Sequence, residues 1–519
     1  MKLLFFVIFF QSITWSLLVP LWHTPDEQAH FAHVAFIAEG NDLTRHGRYP
    51  DMNEEIYRSL EILGTKRNEF GNNQFTFHPE FRLPYSQTLI GPEEETIINL
   101  PSEARKNLSI QESAYYPHLF YQISALIYRL VYPANLFVRV FSVRLFWLLA
   151  HWLMIYLVYR IAQQIFYKRR LLVLTATVLA AMHPMLSFVS SGVTSDNLHN
   201  LLFTAVIYFS LKLIGRSHLN DWLGLALVLG LGIINKQQFG IALAVILPAI
   251  IYSLLKRPKQ TLKYLLVLPL SLLVALMLAP DRTKHLLAIF FSGSLPYLTF
   301  TPADKLVLPD YPLSAHIIWT LKHTVAEVLP WYWGVFNWLG VTLPRWVNRV
   351  LMRLLVAAGL GLVIYCVRLL KSRRLKLTDL KIGFIAWSAL IYFVLLLVWD
   401  WGFTRQNGFP FGFQGRYYFP VIASHMILLT LGIEQLASLI NHRWVKGVML
   451  LLICWFIFLQ WQALYLVASS YYDVTSWQSF IVQASQYKPW FAKGWFLSGV
   501  LISAFVSQLI LLIKLKDAR

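Results

Sequence analysis

Apolar runs long enough to cross a bilayer divide this 519-residue chain, and they constrain its fold more than any other feature. A helix that spans the hydrocarbon core needs about 20 mostly apolar residues, and roughly twelve such runs are present. They lie near residues 3–21, 138–160, 171–190, 198–214, 221–235, 238–255, 263–279, 347–370, 382–399, 417–438, 447–468 and 494–515. Because 57% of the residues are hydrophobic and 14% are charged, the composition argues against a water-soluble globule. The sequence predicts an all-α polytopic membrane protein with about twelve transmembrane helices.

The net charge of +19 is explained by membrane topology rather than by nucleic acid binding. When alternate loops are assigned to one side of the membrane, that side collects the clustered basic residues. They are Lys168, Arg169, Arg170, Lys256, Arg257, Lys259, Lys371, Arg373, Arg374, Lys376, Lys381, Arg443, Lys446, Lys514 and Lys516. Cytoplasmic loops of membrane proteins carry such an excess of lysine and arginine. The pattern predicts a retained first span and cytoplasmic termini.

The outer side is predicted to carry the chemistry, because the first span places residues 22–137 there and most unusual polar clusters follow on the same side. A segment of this length without a span is usually functional. The stretch 113–133 is apolar, but counting it as a span would reverse every later loop, so we expect an interfacial helix on the outer leaflet. No Walker A, GxGxxG, CxxC or HExxH motif is present, which leaves nucleotide, dinucleotide and zincin chemistry without support.

The first acids of the chain follow directly on the first apolar run, in the stretch "LWHTPDEQAHFAHVAFIAEG". Thr24, Pro25 and Glu27 fit a helix start, with Thr24 as the N-cap and Glu27 closing a capping box. That interpretation leaves Asp26 without a capping task. Its carboxylate could then accept a proton from a hydroxyl nucleophile, which is general-base chemistry.

The helix after these acids has a polar side. Asp26, His30 and His33 fall on one face by helical spacing, so we expect this face to line a wet cleft, with the two histidines as substrate contacts. Asp26, Glu27 and His30 could instead supply oxygen and nitrogen ligands to Mn²⁺ or Mg²⁺. The spacing leaves both interpretations open.

These residues resemble a known family. An apolar span followed by P-D-E-Q-A-H-F is similar to the GT-C class of integral-membrane glycosyltransferases, above all to a bacterial branch with a P-D-E-P-A-H-F motif, from which this chain departs at Gln28. Five further segments are similar in the same order. They are "YYPHLFY" at 115–121, "HPMLSFVSSGVTSDNL" at 183–198, "GLGIINKQQFG" at 230–240, "WYWGVFNWLGVTLPRWV" at 331–347 and "QGRYYFPVI" at 414–422. The resemblance covers residues 1–425 as a catalytic module and leaves residues 426–519 as additional C-terminal transmembrane helices.

The resemblance implies inverting transfer of a sugar from a polyprenyl-phosphate donor to a lipid, glycan or protein acceptor, on the outer face of a bacterial inner membrane. By this comparison Asp26 is the catalytic base and Asp196 a second acid near the reaction centre. Lys236 and Arg416 bind the lipid phosphate, and Glu27 holds the loop in shape. No cofactor is required in this picture.

Elementary electrostatics supports a phosphate-binding role for Lys236 and Arg416. The departing phosphate gains negative charge, and fixed cations stabilise it. Lys236 and Arg416 lie at outer span ends, and Arg405 is a third candidate on the loop of Arg416. Cations at span ends can also simply reach toward lipid headgroups. For Asp196, capping of the next helix is an equal alternative by spacing.

Aromatic residues cluster in the last part of the outer side. They are Trp331, Tyr332, Trp333, Phe336, Trp338 and Trp346. The cluster is typical of an aromatic belt at the membrane interface, although Trp333 and Trp338 could also stack on substrate. Tyr116 and His118 are further candidate substrate contacts in the segment 115–121.

Two other functions remain open from the sequence. A transporter or flippase of lipid-linked glycans would also need many spans, but such proteins usually carry internal repeats and a site near the bilayer midplane. Here no repeat is evident, and the ionisable residues cluster on the outer side. A ligase or polymerase that moves a glycan from a diphosphate carrier would share the chemistry and differ in its donor.

Overall fold

The computed structural model of the chain describes residues 2–39, 53–68, 71–81, 90–105, 119–279, 308, 310–372 and 374–516. This part of the chain is almost entirely helical. The helices are α1 (Lys2–Leu18), α2 (Glu27–Ala38), α3 (Glu54–Ile62), α4 (Ile90–Ile98), α5 (Leu119–Leu130), α6 (Leu136–Ile165), α7 (Arg170–Ala181), α8 (Pro184–Ser190), α9 (Asp196–Gly215), α10 (Leu219–Ile233), α11 (Ile241–Lys256), α12 (Pro258–Leu265), α13 (Pro269–Leu278), α14 (Leu313–His323), α15 (Leu329–Trp333), α16 (Arg345–Ser372), α17 (Leu377–Asn407), α18 (Ile422–Ile440), α19 (Trp444–Tyr471), α20 (Trp477–Ala484) and α21 (Gly494–Lys516).

Short elements connect these helices. Four 3₁₀ turns are described at Ser102–Arg105, Gln237–Gly240, Gly415–Val421 and Trp490–Ala492, and a π turn at Thr324–Val328. Within the described ranges the only sheet is a two-stranded antiparallel hairpin of β1 (Val335–Phe336) and β2 (Val341–Thr342). The all-α membrane fold predicted from the apolar runs is confirmed.

Each predicted span coincides with a helix or a helix pair. Among the described residues, nine helical segments are long and apolar enough to cross a membrane, or ten if the bent pair of α7 and α8 forms one span. The nine are Leu136–Ile165, Asp196–Gly215, Gln237–Lys256, Pro258–Leu278, Arg345–Ser372, Leu377–Asn407, Gly415–Ile440, Trp444–Tyr471 and Gly494–Leu515. The other two runs form the shorter apolar helices α1 and α10. A total of twelve crossings therefore stays a prediction.

The break between α7 and α8 has a local cause. The axes of the two helices differ by 55°. Helix α8 begins with Pro184, and the ring of the preceding His183 accepts a hydrogen bond from the backbone N–H of Leu186. Proline lacks an N–H donor and disfavours helical geometry in the residue before it, so the first helix ends there and a new one begins.

The tightest described helix crossing joins α16 and α18. A side-chain carbon added to Gly361 would lie 1.7 Å from the carbonyl oxygen of Gly432. Small residues allow helix backbones to approach this closely inside a membrane. Most of the remaining surface of α16 is exposed, as is that of the α12–α13 segment, so both present apolar side chains outward.

Two short helices, α2 and α5, lie next to the first acids of the chain. The segment expected to be interfacial is described from residue 119 onward, and this part contains α5. Helix α5 packs against α2. The prediction that Asp26, His30 and His33 face a wet cleft is wrong for the two histidines, because residues 27–36 are buried all round. Asp26, which precedes α2, keeps exposed surface. His30 donates to or accepts from the hydroxyl of Tyr121 at 2.7 Å, and the ring of His33 packs edge-on against the same tyrosine.

The turn of the β1–β2 hairpin has an unusual backbone. Asn337, Trp338 and Leu339 have φ angles of 47°, 50° and 66°. The left-handed region costs an ordinary residue about 1–2 kcal/mol, so three in succession must be held by their surroundings. The carbonyl of Trp338 accepts a hydrogen bond from the backbone N–H of Phe77 at 3.0 Å, which connects the turn to the segment between α3 and α4.

Candidate functional site

Asp26 follows α1 in the chain, and both of its carboxylate oxygens are paired with guanidinium groups. Oδ1 accepts from Arg67 at 2.5 Å and Oδ2 accepts from Arg416 at 2.8 Å. Asp26 precedes α2 in a left-handed conformation with φ 58°, and its side chain makes no capping hydrogen bond. It keeps 41% of its side-chain surface exposed, whereas the two arginines keep 7% and 10%. The carboxylate is thus held by two cations and still reachable.

The charges of this site set the ionisation of its members. Burial would raise the pKa of Asp26, but attraction by Arg416 and Arg67 outweighs burial and holds that pKa well below its usual range. Burial lowers the pKa of His30 to about 4, although Asp26 and Asp196 act in the opposite direction. At neutral pH the site therefore contains an ionised Asp26 beside a neutral His30.

Five side chains form a row of alternating charge, which we call the charge row: Lys236, Asp196, Arg416, Asp26 and Arg67. Lys236 at the end of α10 is ion-paired with Asp196, the first residue of α9. Asp196 also interacts electrostatically with Arg416, and Arg416 pairs with Asp26. Three cations against two carboxylates leave one net positive charge.

Asp196 does not cap its helix. The N-cap of α9 is Ser195, and the Asp196 carboxylate is directed to Lys236 instead. The capping alternative for Asp196 is therefore wrong. Lys236 and Arg416 both lie over the ring of Tyr417, at 5.7 Å and 5.4 Å from its centroid, which brings the two predicted phosphate-binding cations to one place.

A pocket of about 220 Å³ opens beside Asp26. Asp26, Arg67 and Arg416 contribute the charges of its lining, and the ring of Trp338 forms part of the wall. Nε of Arg416 and Nε1 of Trp338 are buried and have no hydrogen-bond partner among the described residues. Buried donors without a partner commonly mark a place where a ligand or water accepts the bond.

Arg416 owes its position to Gly415. A side-chain carbon on Gly415 would lie 2.3 Å from the backbone nitrogen and 2.4 Å from Cα of Tyr332. The glycine therefore allows the 3₁₀ turn Gly415–Val421 to pack directly on the backbone of α15. This contact fixes the turn that carries Arg416.

Gly415→Ala is expected to destabilise the protein by about 1–3 kcal/mol, because the added carbon overlaps backbone that cannot move aside. The thermal unfolding midpoint in detergent measures this effect. Gly447→Ala is the matched control, since a carbon added at Gly447 meets nothing within 4 Å. Equal midpoints for the two variants would contradict the packing argument.

Glu27 is not a capping residue, so the predicted capping box is wrong. Arg144 donates to both carboxylate oxygens, with Nε at 2.6 Å from Oε1. The backbone N–H groups of Trp22 and Val193 donate to the same carboxylate at 3.1 and 3.0 Å. Both charged side chains are 0% exposed. Glu27 thus joins the segment after α1, α6 and the loop before α9. Thr24 Oγ1 has no partner in the described part of the chain.

The contacts of Glu27 do not fit a metal site. Its two oxygens already accept hydrogen bonds from four N–H groups. The carboxylate of Glu27 is therefore not available to bind one ion together with Asp26 and His30. Across the residues that the structure describes, no group of three or more histidine, cysteine, aspartate or glutamate side chains could hold a metal.

The remaining candidate residues lie in different places. Arg405 stacks on Trp401 at 5.0 Å and is not part of the pocket lining. Trp333 is buried against His183, at 4.9 Å between ring centroids, and lines a separate apolar cavity. Tyr116 and His118 lie outside the described residues.

Half of the aromatic cluster is interior, so the interpretation as an interface belt is wrong for Tyr332, Trp333 and Phe336. Trp346 is 49% exposed, but Tyr332, Trp333 and Phe336 are buried. They pack among other aromatic rings within the protein. Trp338 differs from them because it faces the charged pocket.

Two residues of the site have no counterpart in the sequence argument. Arg67 lies in a polar segment after α3, where no spacing distinguishes it from its neighbours. Arg144 did offer a signal, because an arginine inside an apolar run is costly unless it is paired. Its partner could have been sought among the acids next to another span.

The fold and the charged pocket define a polytopic helical membrane protein with an ion-paired acidic centre directly after its first helix. The chain belongs to the family of predicted membrane proteins DUF2142, whose model matches residues 9–425. All of the segments compared in the sequence analysis fall within this match. A comparison with curated proteins gives no match.

Solved structures include distant likenesses. ArnT from Cupriavidus metallidurans bound to undecaprenyl phosphate is 13% identical with a TM-score of 0.42, over 97% of this chain and 75% of that chain. The Archaeoglobus fulgidus oligosaccharyltransferase tethered with an acceptor peptide is 13% identical with a TM-score of 0.36, over 85% of this chain and 55% of that chain. At these scores neither likeness carries information about the chemistry of this protein.

Proposed function

We propose that this protein is an inverting glycosyltransferase that moves a sugar from a polyprenyl-phosphate donor to an acceptor hydroxyl on the outer face of the membrane. The observation that carries the proposal is the charge row with Asp26 between two guanidinium groups. The ordered resemblance of the sequence segments to GT-C glycosyltransferases supports the same reaction class.

The net charge of the row suits a singly charged donor. A polyprenyl-phosphate sugar is a phosphodiester with one negative charge, which balances the net positive charge of the row. After transfer, the phosphate carries two negative charges and Asp26 holds the proton of the acceptor, so the row carries two positive charges. The site would thus be neutral with substrate and with product, which limits the electrostatic cost of charge transfer in a buried place.

The reaction assigns a role to each charged side chain. The Asp26 carboxylate takes the proton of the acceptor hydroxyl, whose oxygen forms a bond to C1 of the sugar as the bond from C1 to the phosphate oxygen breaks. Attack from the face opposite the phosphate inverts the anomeric centre. Arg416 and Lys236 stabilise the departing phosphate, and Asp196 orients Lys236 through their ion pair.

An apolar cavity next to the site fits a lipid-linked donor. Its volume is about 320 Å³, and Tyr332, Trp333, Leu355 and Met426 are among its walls. Tyr418 also lines it, two residues after Arg416. An isoprenoid chain in this cavity would place its phosphate near the start of the 3₁₀ turn Gly415–Val421.

A diphosphate-linked donor fits the row less well. It would bring two negative charges and leave one of them uncompensated, which is costly where few waters are present. A transporter would not need a carboxylate between two arginines, so the charge row gives no support for transport. The monophosphate donor is therefore the substrate class that we propose.

The proposal is tested by the release of free polyprenyl phosphate from purified protein in lipid nanodiscs. Polyprenyl-monophosphate sugars and polyprenyl-diphosphate sugars are supplied with membrane-extract acceptors, and both lipid products are measured. We expect release of monophosphate from one donor together with a glycosylated acceptor. Movement of an intact lipid-linked glycan across proteoliposomes, with no cleavage of any donor, would instead establish a transporter.

Arg416→Lys is expected to weaken donor binding by about tenfold or more. Lysine keeps the charge but loses the forked donor geometry that can hold a carboxylate and a phosphate together. The dissociation constant for the active donor measures this loss. Arg58→Lys is the matched control because Arg58 is exposed on α3 and pairs with Glu61. Unchanged donor affinity in Arg416→Lys would remove Arg416 from the phosphate site.

A further inference from the structure

Arg67 is held over the pocket by three kinds of contact. Its Nη2 donates to Asp26 Oδ1 at 2.5 Å, and its guanidinium lies 5.1 Å from the ring centroid of Trp338. The amide of Gln28 faces the same guanidinium. With its oxygen turned toward Arg67, it accepts from Nε at 2.6 Å and from Nη2 at 3.0 Å. The side chain is 7% exposed.

The two arginines that bind Asp26 differ in their backbone support. Arg416 belongs to the 3₁₀ turn Gly415–Val421, which packs on the backbone of Tyr332. Arg67 follows α3 in a segment without regular secondary structure. A small shift of the Arg67 side chain therefore disturbs no helix, whereas a shift of Arg416 would disturb a packed turn.

Asp26 cannot serve as an effective base while both arginines hold it. The two guanidinium groups hold the pKa of its carboxyl far below the usual range, and a base is most effective when its pKa lies near the working pH. An anion in the pocket would compete with the carboxylate for the same donors. The two nonbridging oxygens of a phosphodiester match the donors that Asp26 now occupies.

We propose that Arg67 is a second phosphate-binding residue, which pairs with Asp26 in the unliganded protein and passes to the donor phosphate when the donor binds, so that Asp26 is released to accept a proton. The inference rests on the proposed function, because it names the group that the pocket binds. Gln28 and Trp338 act as positioning residues, since they orient the guanidinium while its anionic partner changes.

This exchange would also protect the donor. The base becomes effective only when a phosphate is already in place, so activation of an acceptor or of water is tied to the presence of a donor. A neutral polyprenol cannot draw Arg67 away from Asp26, because it has no charge to offer in return.

The experiment measures binding of farnesyl phosphate and of farnesol to the full-length protein in nanodiscs by calorimetry. We expect wild type to bind the phosphate more tightly than the alcohol. Arg67→Gln should weaken phosphate binding by about tenfold and leave farnesol binding unchanged, as expected for the loss of a charged hydrogen bond. The affinity of Arg67→Lys for farnesyl phosphate should lie between those of wild type and Arg67→Gln. The matched control is Arg58→Gln, an exposed arginine of the same outer region, which should change neither affinity.

A double-variant cycle separates the exchange from simple attraction. Asp26→Asn removes the competing carboxylate, so it should strengthen farnesyl phosphate binding by about threefold or more when Arg67 is present. In Asp26→Asn combined with Arg67→Gln this gain should shrink. Strictly additive effects would overturn the exchange, because neighbouring groups that share a partner show coupling.

The outcomes distinguish this inference from the proposed function. If wild type prefers farnesyl phosphate but Arg67→Gln binds it like the Arg58→Gln control, the Arg67 inference fails and the phosphate donor stands. If wild type does not distinguish farnesyl phosphate from farnesol, the polyprenyl-phosphate donor fails as well. Gln28→Ala provides a milder variant that keeps Arg67, and it should weaken phosphate binding in the same direction.

Discussion

Asp26→Asn is expected to lower the rate of sugar transfer by about 10²- to 10⁴-fold, the range that a positioned general base contributes. Asparagine has nearly the same shape as aspartate but cannot hold the proton of the acceptor. Its amide also cannot pair with Arg67 and Arg416 as an anion. The rate of polyprenyl phosphate release at saturating donor measures the effect.

The control for this variant is Asp310→Asn, because Asp310 is an exposed acid in the loop before α14. That control should retain wild-type turnover. Thermal unfolding shows whether Asp26→Asn is still folded, since it also loses two ion pairs. A folded Asp26→Asn variant with undiminished turnover would show that Asp26 is not the base.

Glu27→Gln is expected to cost about 3–5 kcal/mol of stability, the loss typical of removing one partner from a buried ion pair. The Arg144 guanidinium would remain buried with 0% exposure and no opposite charge. A capping role would predict a mild effect, because glutamine also closes a capping box. Fraction folded after purification and the thermal unfolding midpoint both measure the difference.

Glu61→Gln is the comparison for this variant. Glu61 pairs with Arg58 at 3.3 Å and keeps 34% of its side chain exposed, so its loss should cost less than about 1 kcal/mol. If Glu27→Gln unfolds at the same temperature as Glu61→Gln, the buried pair with Arg144 does not stabilise the segment after α1.

The different costs of Asp26 and Glu27 follow from their surroundings rather than from their type. The two acids are adjacent, but the backbone of Asp26 turns left-handed and directs its carboxylate into the pocket. The carboxylate of Glu27 points into the protein and meets Arg144. The sequence pattern does predict a structural role for Glu27 that Asp26 lacks, but the role it predicts is a helix cap. In the structure Glu27 instead forms a buried ion pair with Arg144.

Much of the candidate site was predictable, and the limits have a physical cause. Asp196, Lys236 and Arg416 were selected by motif order and by their positions at span ends, and the structure brings them into one row. Arg405 was selected by proximity in sequence to Arg416, but it lies against Trp401 instead. Neighbours on a loop share a region of space without sharing a direction.

The membrane fold and the positions of the long apolar helices follow from the sequence alone, because a spanning helix requires only a local run of apolar residues. Which charges meet depends instead on contacts between segments that are distant in the sequence. Asp26 pairs with Arg67 and Arg416, which are 41 and 390 positions away in the sequence. Glu27 pairs with Arg144, which is 117 positions away. Such pairs depend on how the helices and their connecting segments pack, and no local pattern records that arrangement.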